Sequence, residues 1–279
     1  MIGIVLALAA SLSWGLGDFG GGLAARRTHL LWVLLVSQVA GLALVGTMAL
    51  ATHPQAPTGR EYAWGVFAGA MGVIGLGAFY RALAIGTMGI VGPITATGAI
   101  VPVVYGLASG ERPSILQAAG IILAVIGVVG ASREPLPESA GRKLAVGVGL
   151  SLVAAVCFGA ALLGLNRISQ AGVVWGTLSL RLTVVPIVLL AVLVLRPSTA
   201  RLRPALPLLI ATGLFDSGAN LLYGASARHG LISVVSVLGS LYSVVLVGLA
   251  YFVLHERISR PQLAGVALAL AGVALISAG

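Results

Sequence analysis

Charged residues are scarce in this chain of 279 residues. Only 8% of its residues are charged, whereas 59% are hydrophobic. A water-soluble fold needs far more polar surface than this composition can supply. We therefore expect the surrounding solvent to be the lipid bilayer and the chain to be an integral membrane protein.

Acidic residues are the rarest charged class, with seven Asp and Glu against 16 Lys and Arg and a formal net charge of +9. Most of the basic residues lie in short connections between apolar runs, which is typical of loops that flank a membrane. A nucleic-acid-binding protein would carry them on one face of a soluble domain. The sequence has no room for such a domain, so we expect no nucleic-acid partner.

Residues for covalent and metal chemistry are also few. Cys157 is the single cysteine, so no disulfide can form within the chain. The four histidines lie in connections or at the ends of apolar runs, and no zinc-protease, phosphate-loop or dinucleotide motif is present. An enzyme would need clustered acids, bases or nucleophiles. We expect no enzymatic activity, no metal and no cofactor.

Apolar runs of about 20 residues, the length that crosses a bilayer, fill most of the chain. The first run ends in Asp18 and a glycine-rich segment rather than a small-residue cleavage site, so we expect it to be retained. We count ten runs, at residues 2–23, 30–51, 62–83, 88–108, 114–132, 145–166, 174–195, 205–226, 231–253 and 260–278. The sequence predicts an all-α membrane protein with ten transmembrane helices.

One segment of 22 residues occurs twice, at 111–132 and, 145 positions later, at 256–277. Eleven of the 22 aligned residues are identical. Each copy places a serine three residues before a glutamine, which predicts a capping box at the start of a helix. Each copy therefore marks the last helix of a repeated unit.

The repeat divides the chain into two units of five helices. We place the first unit at residues 1–133 and the second at 144–279, with a polar linker at 134–143. Because five is an odd number, the second unit must enter the membrane from the opposite side. This arrangement is an inverted-topology repeat, which is typical of carriers with a central site.

These features resemble the EamA family of the drug/metabolite transporter superfamily, over the whole chain. The resemblance rests on the two repeats and on the following residues: Trp14 and Gly15 early in the chain, then Glu256, Ser259, Gln262, Gly265 and Gly272. It implies a carrier of small metabolites, often outward, with a cavity lined mainly by helices 1, 3, 4, 6, 8 and 9. It implies no particular substrate, because the family spans amino acids, amines, sugars and drugs.

Ionisable groups within the apolar runs indicate the site, since a charge near the bilayer centre costs about 2.5–3.5 kcal/mol on insertion scales. Asp216 lies near the middle of the eighth run, and Asn220 and Tyr223 follow it on one helical face. We interpret this face as a substrate- or proton-binding site; the alternative is an acid that pairs with a neighbouring cation. Trp14 adds a ring that suits apolar or cationic solutes, although such rings also form interfacial belts.

Two further charged residues lie within runs. Asp18, in the second half of the first run, could bind substrate or a proton, or could pair with Arg26 or Arg27. Arg181 lies about two turns into the seventh run, where it could pair with Asp216 or Asp18. We include Asp18 in the predicted site and Arg181 as a possible ion-pair partner.

Prolines and acidic residues near run ends predict structural roles. Pro93 and Pro102 make the fourth run the better hinge candidate, because its counterpart, the ninth run, has no proline and is expected to be continuous. Glu111 and Glu256 lie at or just before helix N-termini, where a carboxylate favourably meets the helix dipole. We expect both to be structural.

The orientation in the membrane has two conflicting indications. The resemblance implies that both termini are cytoplasmic, so connections after odd-numbered helices would face outward. Those connections and their flanks hold eleven Lys and Arg, against four on the opposite side. The positive-inside rule would instead place both termini outside. The sequence leaves both orientations open.

We expect a secondary transporter that exports small metabolites such as amino acids, amines or cationic drugs by alternating access. Energy would come from a gradient, with protons as the candidate coupling ion, because no ATP motif is present. We expect a multi-pass protein of the bacterial inner membrane, as a monomer or homodimer. A channel or a non-transporting scaffold is the alternative; equal polar stripes in both halves or a partner-binding domain would favour it.

Overall fold

The computed structural model describes residues 1–131, 141–256 and 259–279, most of them helical. The α-helices are α1 Ile2–Ala25, α2 Leu30–Thr52, α3 Gly59–Ile85, α4 Met88–Ala96, α5 Ile100–Ala108, α6 Ile115–Ala131, α7 Gly141–Ala171, α8 Val173–Leu195, α9 Leu202–Ala227, α10 Ile232–Ser240, α11 Tyr242–Leu254 and α12 Arg260–Ala278. Most of the predicted linker at 134–143 lies outside the described residues, and α7 begins within its last residues.

Long apolar helices dominate this architecture. In the described part of the chain, eight helical segments are long and apolar enough to cross a membrane, with α4–α5 and α10–α11 counted as one segment each. The fold is therefore that of an all-α integral membrane protein. The apolar helices α6 and α12 are shorter, with 17 and 19 residues. The count of ten membrane-spanning helices stays a prediction.

The two predicted capping boxes are confirmed at the starts of α6 and α12. The Gln117 N–H donates to Ser114 Oγ at 3.1 Å, and the Ser114 N–H donates to Gln117 Oε1 at 3.0 Å. The same pair of bonds joins Ser259 and Gln262. The two helices then cross at glycines, and a β-carbon on Gly120 would lie 2.6 Å from a backbone oxygen of α12. The last helices of the two repeats therefore pack backbone to backbone.

The expectation of a continuous ninth run is wrong. Its helix breaks at Leu241, whose N–H donates to a carbonyl only three residues back. Serine hydroxyls accompany the break: Ser240 Oγ donates to the Val237 carbonyl at 2.7 Å, and Ser243 Oγ to the Ser240 carbonyl at 3.1 Å. Such back-bonding competes with the helical hydrogen-bond pattern and bends helices without proline.

The fourth run breaks at the corresponding place. A 3₁₀ turn at Thr97–Ala99 joins α4 to α5. Here Thr95 Oγ1 donates to a carbonyl four residues back at 2.8 Å, and Thr95 matches Ser240 at the 145-residue spacing of the repeats. Pro93 lies in α4 and Pro102 in α5, one on each side of the turn. Their role as a hinge stays a prediction.

Glu111 and Glu256 bind helix N-termini, as expected, but each helix belongs to the other repeat. The Glu111 carboxylate accepts the N–H groups of Ile232 and Ser233, at 2.6 and 3.0 Å, where α10 begins. The Glu256 carboxylate accepts the Gly89 N–H at 3.3 Å, where α4 begins. Each repeat therefore caps the broken helix of its partner repeat, a favourable position for a negative charge.

Helix α1 connects these two capped ends. Near its start, the Gly3 carbonyl accepts a hydrogen bond from Ser226 Oγ at 2.8 Å, close to the beginning of α10. At its end, Arg26 donates to carbonyls at the end of α3 and forms a salt bridge with Glu256 at 3.4 Å. The 24 residues of α1 span about 36 Å. The two caps therefore lie at opposite ends of the bundle.

Candidate functional site

A cavity of about 90 Å³ lies between the two repeats, with room for several water molecules. Helices α1, α3, α4, α7, α8, α9, α10 and α11 all contribute to its wall. Its polar lining includes Trp14, Asp18, Arg181, Asp216, Asn220 and Tyr242. Its apolar lining includes Leu76, Phe158, Ala161, Leu162 and Leu165. The cavity lining therefore combines charged and apolar groups.

Asp216 forms an ion pair with a buried arginine of the preceding helix, α8. Arg181 Nη2 lies 2.8 Å from Asp216 Oδ2, and Arg181 is only 1% exposed. Gln38 of α2 completes the network, because its Oε1 accepts from Arg181 Nη1 and its Nε2 donates to Asp216 Oδ2 at 3.4 Å. Added hydrogen bonds of this kind are what allow an ion pair to remain buried.

Gln38 reaches this ion pair because α2 and α9 cross at glycines. Gly213 on α9 lies against the backbone of Ser37, and Gly41 on α2 lies against the side chain of Ser217. A β-carbon at either glycine would clash with those atoms. The sequence analysis missed Gln38, although an amide in the middle of an apolar run is a signal that could have identified it.

Asn220 and Tyr223 follow Asp216 along α9 but occupy different environments. Asn220 lines the cavity, and its Nδ2 donates to the Asp216 backbone carbonyl at 2.9 Å. Tyr223 is fully buried, with its hydroxyl 2.8 Å from Ser236 Oγ. Its ring packs against Trp14, with the centroids 5.5 Å apart. The structure thus brings Asn220 and Trp14 to the cavity and positions Tyr223 behind Trp14.

Asp18 is the second carboxylate of the cavity, and it is 7% exposed. In the described ranges Asp18 forms no salt bridge, because Arg181 pairs with Asp216 and Arg26 pairs with a glutamate at the end of the bundle. The Tyr80 hydroxyl is its neighbour, and Asp216 lines the same cavity. Of the two cavity carboxylates, Asp18 is the one without a cationic partner in this part of the chain.

Tyr242 adds a further polar group that the predicted site did not contain. It begins α11, directly after the helix break, and lines the cavity while being only 8% exposed. Its ring packs edge to face on Phe79, with the centroids 6.2 Å apart. Its hydroxyl oxygen has no hydrogen-bond partner among the residues that the structure describes. The sequence alone could not show this, since the partners of a hydroxyl come from distant segments.

The sequence profile of the EamA-like transporter family matches the chain twice, at residues 1–133 and 145–278. The chain belongs to this family. The predicted resemblance is thus confirmed, and the double match supports the two-repeat architecture. This EamA protein is a transporter of the drug/metabolite type and a multi-pass integral membrane protein.

A solved structure described only as "Crystal structure of protein" is similar to the EamA protein with a TM-score of 0.74. The similarity covers 98% of this chain and 95% of that chain, at 15% sequence identity. Identity this low shows the shared fold alone, because one fold serves many functions. No curated protein matches the sequence.

Proposed function

We propose that this EamA protein is a secondary carrier that exports small organic cations by alternating access. The candidate substrates are amines, cationic drugs and amino acids bound through their amino group. The observation that carries the proposal is Asp18, a buried cavity carboxylate without a salt bridge in the described ranges. The other carboxylate of the cavity, Asp216, already forms an ion pair with the guanidinium of Arg181.

The charge balance of the cavity supports a cationic substrate. Asp216 and Arg181 neutralise each other, so an ionised Asp18 leaves one unit of negative charge. An uncompensated charge deep in a membrane protein is costly, and a bound monocation removes that cost. The Tyr80 hydroxyl is a neighbour of Asp18, and Tyr242, Asp216 and Arg181 line the same cavity.

A proton could compensate the same carboxylate. A proton and an organic cation would then compete for Asp18, and an inward proton gradient would drive the cation outward. This exchange requires that the two cations never bind together and that the cavity opens to one face at a time. No nucleotide-binding motif offers another source of energy.

The apolar residues of the cavity lining favour an amphipathic substrate. Phe158, Ala161, Leu162 and Leu165 of α7 line the same cavity as the charged residues. Apolar groups of a substrate gain free energy when they leave water for such a lining, and an aromatic ring also attracts cations. An amine with a small hydrocarbon or aromatic group therefore suits both the charged and the apolar residues of the lining.

The test is uptake of labelled amines, quaternary ammonium compounds, amino acids and sugars into proteoliposomes, with and without a pH gradient. We expect saturable cation transport that follows the pH gradient in the wild type and loses this dependence in Asp18→Asn. Glu61→Gln is the matched control, because Glu61 is a carboxylate in a capping box at the start of α3.

Three results would count against the proposal. Wild-type pH dependence in Asp18→Asn would show that Asp18 is not the coupling site. Flux that never saturates would favour a channel. Transport of no compound by well-folded protein would favour a scaffold. Size-exclusion chromatography and thermal unfolding in detergent verify the fold of each variant.

A further inference from the structure

We infer that Tyr242 hydrogen-bonds the charged nitrogen of the substrate, so that the site selects ammonium groups that carry N–H bonds over quaternary ammonium groups. This inference rests on the proposed binding of a cation at Asp18. It narrows the substrate class to primary and secondary amines. It also makes a residue of the ninth run a determinant of specificity.

The hydroxyl of Tyr242 differs from those of the other buried tyrosines near the cavity. The Tyr80 hydroxyl has Asp18 as its neighbour, and the Tyr223 hydroxyl shares a hydrogen bond with Ser236. Within the described ranges the Tyr242 hydroxyl has none. Buried polar groups in native proteins almost always have a partner, and a buried group that lacks one requires an explanation. A substrate group that completes the bond is such an explanation.

Tyr242 is also in the right place to contact the cation. It lines the same cavity as Asp18, and it is only 8% exposed. Phe79 holds the ring from the side, and α1 packs closely on the backbone of α11 because residue 15 is a glycine. The ring is therefore held firmly while its oxygen stays free to bind.

Hydrogen-bond chemistry explains the selectivity. A phenolic oxygen accepts a hydrogen bond, and an ammonium group with at least two N–H bonds can donate one to Asp18 and another to Tyr242. A quaternary ammonium group has no N–H and leaves the hydroxyl unpaired. Sites that hydrogen-bond a substrate group discriminate strongly against analogues that lack it. The rings of Trp14 and Phe158 attract both kinds of cation, so they cannot supply this discrimination.

The experiment compares phenethylamine with its N,N,N-trimethyl derivative, which keeps the same hydrocarbon group. Binding of both probes to purified full-length protein in detergent is measured for the wild type, Tyr242→Phe and Asp18→Asn. We expect the wild type to prefer phenethylamine, and Tyr242→Phe to weaken phenethylamine binding about tenfold while leaving the trimethyl derivative within about twofold. Tyr62→Phe, at a partly exposed position in the first turn of α3, is the control.

The inference and the proposed function can fail separately. If both probes bind, Asp18→Asn loses both, and Tyr242→Phe changes neither or both equally, the cation site stands and the role of Tyr242 is overturned. A wild type that binds the two probes equally also overturns it. If neither probe binds to the wild type, or if Asp18→Asn binds them as the wild type does, both statements are overturned.

Discussion

The neighbours of the two cavity carboxylates, rather than their depth, give them different roles. Asp18 and Asp216 are nearly equally buried, at 7% and 8% exposure. Asp216 has Arg181 at 2.8 Å and Gln38 beside it, so its charge is satisfied within the protein. Asp18 has the Tyr80 hydroxyl as its neighbour instead. Asp216 therefore helps to hold helices together, and Asp18 is the carboxylate that we propose binds the cation.

The ion pair of Arg181 and Asp216 predicts a specific pattern of stability. Asp216→Asn leaves a buried guanidinium without a counter-charge, and Arg181→Met leaves a buried carboxylate. Each single variant should lose about 3–5 kcal/mol of stability. The double variant should lose much less than the two single losses added together, because it leaves no charge unpaired. Thermal unfolding in detergent measures all three.

Arg167→Met is the control for this series, because Arg167 is an exposed arginine that packs over the Tyr105 ring. We expect a change within about 1 kcal/mol for this variant. Additive losses in the double variant would contradict the assignment of Arg181 and Asp216 as one unit.

At this scale the sequence could predict the acids but not all of their partners. Asp18 and Asp216 are identifiable because charges inside apolar runs are rare, and Asn220 follows from helical spacing. Gln38 depends on a crossing of two helices that are distant in sequence. The position of Tyr242 also depends on tertiary contacts, and no periodicity encodes which hydroxyl finds a partner.

The helices, too, could be predicted from the sequence only in part. Apolar length predicted nearly all the helix positions, since a span must satisfy its own backbone within about 30 Å of hydrocarbon. The break in the fourth run agrees with its prolines and glycines. The break at Leu241 was missed because hydroxyls, rather than a proline, accompany it. Serines that lie three residues apart, at 240 and 243, are the signal that was available.

The crossing of α2 and α9 gives a prediction at the scale of elements. Gly213→Ala should destabilise the protein by about 1–3 kcal/mol, because the added carbon would strike the backbone of Ser37 and push α2 away. Gly218→Ala on the same helix should be neutral or slightly stabilising. Among the residues that the structure describes, only Ser13 Oγ lies close to the added carbon, at 3.7 Å, and alanine favours helices. Thermal unfolding compares the two variants, and equal effects would contradict the close crossing.

At the scale of the whole molecule, each repeat supplies a glutamate that caps a helix of the other repeat. The repeated segments predicted equivalent glutamates, Glu111 and Glu256, but not that each would bind a helix of the other repeat. These contacts join residues that are distant in sequence, and they connect the two repeats at both ends of the bundle. Under the proposed alternating access, we expect each cap to help close the cavity at its own face.

This arrangement predicts opposite effects for two similar substitutions. Glu111→Gln and Glu256→Gln each remove the charge from one cap, and hydrogen bonds to charged groups are worth about 1.5–3 kcal/mol. Each variant should therefore favour opening at its own end of the bundle by about tenfold or more. A reporter cysteine, Ala161→Cys in a Cys157→Ser background, lies in the cavity wall and reports access from either face.

The measurement is labelling of this cysteine by a membrane-impermeant thiol reagent in right-side-out and inverted vesicles. Because α1 joins the two caps over about 36 Å, faster labelling in Glu111→Gln should occur from one face, and in Glu256→Gln from the other. Glu61→Gln removes a carboxylate that caps only its own helix, so it should change neither. Faster labelling from the same face in both variants would show that the caps do not act as separate closures, and unchanged labelling would mean that they contribute to stability alone.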